Sequence, residues 1–174
     1  MKKFLAFLLL FILTSHTVYA EFPLYAKYLT KGIEIVSPDG EKTSYTNVDE
    51  VPEIQYASKI FALGMVILSF YGVDFTLKNR QGLFVAKSPV TEEFVFSKVE
   101  NSNNGAIPII FDKNTKAELT PEAKISFKRE NDSLTLKVLM GTVPMEVNGN
   151  KSELAAGEIF TYKIKEGDEN ALKI

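Results

Sequence analysis

Very few side chains in this sequence could carry out nucleophilic, acid–base or metal chemistry. There is one histidine, His16, and there is no cysteine and no tryptophan. Hydrolases that use a serine or cysteine nucleophile need an imidazole base, and structural zinc sites need cysteine or histidine ligands. Because His16 lies in a segment with the features of a removable leader, neither chemistry is predicted for the mature chain.

Carboxylates are the remaining groups that could bind a metal ion or cleave a glycan. Asp112 begins a segment that resembles a calcium loop, but Ala117 stands where glycine is needed and Ala123 where a closing glutamate is needed. No metal site and no cofactor is therefore predicted. Paired carboxylates could hydrolyse a glycosidic bond, but the sequence alone singles out no pair among its 22 acidic residues.

Aromatic side chains are the candidate binding residues. Phe70, Tyr71 and Phe75 cluster in one segment, and Phe160 and Tyr162 alternate on the last predicted strand. Aromatic rings on an exposed sheet face can bind sugars or peptides. The alternative interpretation is that the phenylalanines form the core and the tyrosines cover it.

The first twenty residues have the pattern of a secretory signal peptide. Two lysines follow the first methionine, Phe4 to Leu13 are all apolar, and Val18 and Ala20 fit the small-residue positions of a cleavage site. The mature chain is expected to begin at Glu21 and to be periplasmic or extracellular. Export without cysteine indicates a bacterial protein. Its 18 basic and 22 acidic residues give a net charge of −4, which disfavours a nucleic-acid partner.

Short apolar runs that alternate with turn signals predict an all-β fold. We expect an antiparallel β-sandwich or a short β-roll of about 10–12 strands. The predicted organisation is a lead-in at 21–30, a single β-rich domain at 31–164 and a polar tail at 165–174. Helix is predicted only near 22–29 and 51–58, since no long segment has a 3.6-residue period.

Two features of the pattern predict how the strands are arranged. The offset that aligns Leu77 with Leu119 also aligns Val85 with Phe127, which suggests an internal duplication. The nearly continuous apolar run from Met65 to Phe70 predicts a central strand buried on both faces. The longer apolar stretch around it, residues 60–73, is shorter than the roughly 20 residues of a membrane-spanning helix, so no span is predicted in the mature chain.

Several of these strands resemble the repeating pattern of FecR-like domains. The resemblance begins with Gly64–Phe70, Val73–Leu77 and Gln81–Val85, and continues with Leu134–Val143 and Leu154–Glu158. It spans about residues 31–164. FecR-like domains are β-rich domains of the cell envelope, and the sigma-regulating type adds a membrane helix and a cytoplasmic segment that are not expected here. The resemblance therefore implies a free-standing exported domain.

The sequence leaves three functions open. The leading hypothesis is a non-enzymatic binding or scaffold domain that recognises an envelope protein or a glycan through a sheet face or an edge strand. The second is an exported carboxylate-dependent glycan hydrolase. The third is a structural subunit that assembles edge to edge.

Cleavage of the leader gives the first testable prediction. N-terminal sequencing of the exported protein should begin at Glu21, because Val18 and Ala20 precede the predicted cleavage point. A sequence that begins at Met1 would contradict the leader and would return His16 to the mature chain.

Overall fold

The computed structural model describes residues 24–164, which form two β-sheets. Within this range there is no α-helix, and a single 3-10 turn lies between β3 and β4. The elements are β1 Leu24–Leu29, β2 Ile33–Val36, β3 Lys42–Tyr45, the 3-10 turn Val48–Glu50, β4 Lys59–Ala62, β5 Val66–Phe70, β6 Val73–Leu77, β7 Gly82–Lys87, β8 Phe94–Lys98, β9 Ile107–Asp112, β10 Thr115–Leu119, β11 Lys124–Glu130, β12 Ser133–Met140, β13 Thr142–Val147, β14 Asn150–Ala155 and β15 Ile159–Lys163.

The two sheets pack as an antiparallel sandwich, which confirms the predicted fold class. The seven-stranded sheet has the order β1-β5-β6-β9-β10-β13-β14, and the eight-stranded sheet has the order β15-β12-β11-β8-β7-β4-β2-β3. From β5 onward the chain adds a strand pair to one sheet and the next pair to the other. The strand count exceeds the predicted 10–12 because polar strands such as β3 and β14 have no apolar pattern to reveal them.

The offset that aligns Leu77 with Leu119 corresponds to a repeated structural unit. When residue numbers are shifted by this offset, the first and last residues of β6 coincide with those of β10, and the first residue of β7 coincides with that of β11. β6 and β10 are each the second strand of a hairpin in the seven-stranded sheet, and β7 and β11 each open a hairpin in the other sheet. The offset therefore relates hairpins in equivalent positions of the two sheets.

The core lies between the sheets and uses alternate residues of each strand. On β5, Val66, Leu68 and Phe70 are fully buried. Ile67 points to the outer face and is only half-buried, beside its partners Tyr28 and Thr76. The prediction of burial on both faces is therefore wrong for Ile67, although β5 is an internal strand between β1 and β6.

The two predicted helical segments have other structures. Residues 24–29 form β1, whose Leu24 pairs with Phe70 of β5, so the described part of the predicted lead-in belongs to the domain. Residues 51–58 form no helix. Their Ile54 is buried and donates its backbone N–H to the Leu24 carbonyl at 3.2 Å, so this segment covers the β1 end of the sandwich. The predicted leader at 1–20 and tail at 165–174 lie outside the described residues.

Neighbouring residues on β5 should respond very differently to a buried charge. Leu68→Asp should lower the free energy of unfolding by about 3–5 kcal/mol, because it replaces a fully buried side chain with a polar group. Ile67→Asp should cost much less, since its side chain faces outward. Denaturant unfolding of the two variants tests this, and equal losses of stability would contradict the assigned register.

Candidate functional site

Two of the predicted binding aromatics, Phe70 and Phe75, are fully buried core residues. Phe96, from the opposite sheet, lies between them, with ring centroids 5.0 Å from Phe70 and 4.8 Å from Phe75. The core interpretation therefore applies to both rings, and neither can contact a ligand in this structure.

Phe160 and Tyr162 also point inward, from β15. Both lie against Phe111, with centroid distances of 5.5 and 5.2 Å, and Tyr162 is buried. The alternation along β15 instead turns Ile159 and Thr161 toward solvent. These two aromatics therefore pack at the β15 end of the core and offer no exposed platform.

Tyr71, the remaining predicted site residue, lies in the turn between β5 and β6. It is half-buried, and the guanidinium carbon of Arg129 lies 4.7 Å from its ring centroid. Burial raises the pKa of Tyr71, and the positive charge of Arg129 partly opposes this. Because Arg129 covers one face of the ring and Phe70 packs edge-on at 4.8 Å, Tyr71 contributes mainly to packing between the sheets.

Strand register identifies a different candidate binding surface, on the outer face of the eight-stranded sheet. Directly paired residues of antiparallel strands point to the same face. One cross-strand series, which we call the lysine row, runs from β3 to β11 through Lys42, Val36, Lys59, Phe84, Ser97 and Lys124. Since neighbouring strands are about 4.8 Å apart, Lys59 and Lys124 are separated by roughly 14 Å, with Phe84 between them.

Half-buried apolar side chains form the floor beside this row. Phe61 lies next to Gly82, and a Cβ on Gly82 would come within 2.9 Å of both the Phe61 ring and the Cβ of Val99. Glycine at this position therefore lets the ring lie flat across the sheet. Together with Phe84, these side chains give a shallow apolar strip bordered by lysines.

The outward side chains of the eight-stranded sheet are strongly basic. Two glutamates stand among them, and each is paired: Glu34 with Lys42 at 2.9 Å and Glu130 with Lys128 at 2.6 Å. Against these two acids stand six outward lysines, so the strand residues of this face carry a net charge of +4. The lysines are Lys42, Lys59, Lys124, Lys128, Lys137 and Lys163.

The outer face of the seven-stranded sheet does not share this charge. Its outward strand residues include three lysines and at least four acids, so positive charge is not in excess there. They are Lys27, Lys116, Lys151, Asp74, Glu118, Glu146 and Glu153. The whole chain has a net charge of −2, so the basic face is a local asymmetry in an acidic protein. It favours anionic ligands.

One cavity lies at the β3 end of the sandwich, beneath the 51–58 segment. It has a volume of about 150 Å³, and Glu41 and Glu53 are among its lining residues with Thr43 and Tyr45. Ligand pockets usually measure about 300–1,000 Å³, so this cavity is small for a glycan substrate. Residues 24–164 bring together no group of three or more potential metal ligands among their acidic side chains.

The predicted calcium-like segment has a local structural role. The carboxylate of Asp112 accepts a hydrogen bond from the backbone N–H of Asn114 at 2.8 Å and so stabilises the β9–β10 turn.

No family model, curated protein or solved structure matches this chain. Among the described residues no helix has the length and apolar character required to cross a membrane.

Tyr71→Phe should make stability less sensitive to alkaline pH. Burial raises the pKa of Tyr71 in the folded state above its unfolded value near 10, so the protonated phenol stabilises the folded protein. This stabilisation is fully present below the unfolded pKa and is lost as pH rises through the folded pKa. Unfolding free energies between about pH 9 and 11 should fall less steeply for Tyr71→Phe than for the wild type. Identical slopes for Tyr71→Phe and the wild type would contradict the raised pKa of Tyr71.

Proposed function

We propose that this chain is an exported, non-enzymatic binding or scaffold domain of the bacterial cell envelope. It recognises a partner protein or glycan through the outer face of its eight-stranded sheet. The observation that carries the proposal is the lysine row, which places Lys59 and Lys124 on either side of Phe84 on that face. The leader pattern and the FecR-like strand pattern support export and an envelope location.

The packing of the sandwich supports binding over hydrolysis. The inner faces of both sheets are filled by apolar side chains, and the cavity lined by Glu41 and Glu53 has a volume of only about 150 Å³. Retaining and inverting glycosidases need two carboxylates that flank a sugar ring in an open cleft. The broad outer face offers more area for a partner than this cavity does.

Edge-to-edge assembly is the second candidate, and β15 is the observation that favours it. Exposed sheet edges are normally protected by charges, bulges or short length. β1 is interrupted by a bulge near Ala26, and β3 has only four residues. β15 has a single charged residue, Lys163 at its end, while Ile159 and Thr161 are exposed, and within residues 24–164 only β12 pairs with this strand.

Site-specific photocrosslinking in living cells tests which surface meets the partner. A photoreactive residue in place of Ser97, within the lysine row, should capture a defined envelope protein or glycan. The matched control replaces Thr76, which is equally half-buried and lies on an internal strand of the other sheet. Equal capture from both positions would contradict the proposed face, and capture of a second copy of this chain only from position 159 would favour edge-to-edge assembly.

A further inference from the structure

We propose that the lysine row binds an acidic polysaccharide. A sugar ring packs on the exposed side of Phe84, and carboxylates of the polymer pair with Lys59 and Lys124. This inference rests on the proposed function and names the chemistry of the partner that the outer face would recognise.

Three exposed lysines on the face have no protein counter-charge among the described residues, and this favours an anionic ligand. Lys42 and Lys128 are neutralised by the glutamates beside them. Lys59, Lys124 and Lys137 make no ion pair within the described part of the chain, and all three are exposed. A polyanion that lies across the strands would meet Lys59 and Lys124 in one pass, because direct strand pairing aligns them.

The order of side chains in the row suits a chain of linked rings. Between the two lysines lie Phe84, which is half-buried, and Ser97, whose hydroxyl can donate or accept a hydrogen bond. An aromatic surface of this kind offers a large contact area with little loss of conformational entropy. A polymer of several sugar residues that carries carboxylates at intervals is long enough to span the roughly 14 Å between the lysines.

The same geometry disfavours an acidic peptide as the ligand. Extended peptides bind β-domains chiefly by adding a strand at an open edge, where backbone groups are unpaired. β7, β8 and β11 are internal strands with a neighbour on each side. A ligand on this face must therefore be recognised by side chains alone, which favours ring stacking and carboxylate–ammonium pairing.

Binding of an alginate oligosaccharide to the exported protein tests the inference, with a neutral dextrin of equal length as the reference glycan. Titration calorimetry should detect binding of the alginate oligosaccharide only. Lys59→Glu combined with Lys124→Glu should weaken this binding about tenfold or more. The matched control, Lys116→Glu combined with Lys151→Glu, makes the same charge change on the other outer face and should alter binding less than about twofold. All four lysines are exposed, so both variants should fold.

Four outcomes would overturn the inference. They are equal losses in the two double variants, equal binding of alginate and dextrin, no binding of alginate, or tighter binding of polyglutamate or of phosphatidylglycerol vesicles than of alginate. The proposed function would survive any of these results if the Ser97 crosslinker still captured a specific envelope partner. Failure of the ligand chemistry is thus distinguishable from failure of the binding face.

Discussion

A cluster of phenylalanine rings joins the two sheets, and the rest of the structure depends on it. Phe70 and Phe75 of the seven-stranded sheet meet Phe96 and Phe127 of the eight-stranded sheet, with centroid distances between 4.8 and 6.0 Å. All four rings are fully buried. This contact commits the inner face of each sheet to the core. Because side chains alternate along a strand, it also determines which residues are left for the solvent.

Strand register links the core to the proposed binding face. Leu83 and Val85 point into the core, so Phe84 must point outward between them. The same constraint turns Lys124 outward next to buried Ile125. A slip of one residue in β11 would exchange its two faces and bury the charge of Lys124, and a slip in β7 would expose Leu83 and Val85, so either slip is costly. The lysine row is therefore held in place by the apolar residues behind it.

Sequence patterns predicted the fold more successfully than the site. Aromatic residues alternate with other residues in segments such as Phe94–Phe96, and this alternation indicates a strand. The turn-forming residues Ser37–Gly40 indicate a hairpin. Both signals come from residues that are adjacent in the chain. Aromatic content did not locate a surface, because the direction of a ring depends on register and on which sheet face is covered. Phe70 has the same apolar side chain whether it binds a ligand or packs in the core, and only the packed sheets show that it belongs to the core.

The lysines were visible in the sequence, but their proximity was not. Lys42 and Lys59 belong to the consecutive strands β3 and β4, whereas Lys124 belongs to the much later β11, and the sheet order brings all three into one row. Strand alternation could have placed Lys59 and Lys124 on an outward face, since each adjoins a buried isoleucine, but it could not have placed Lys42, because β3 has no apolar pattern. Their alignment required the strand pairing, which the sequence pattern alone does not specify.

Amide chemical shifts of the isotopically labelled protein, recorded during titration with an alginate oligosaccharide, test the central claim most directly. The account predicts that the largest changes fall on β4, β7, β8 and β11 around Phe84 and Ser97, and that the seven-stranded sheet is little affected. Changes concentrated on β1, β5 and β6, or along the edge of β15, would contradict the assignment of the binding face to the outer side of the eight-stranded sheet.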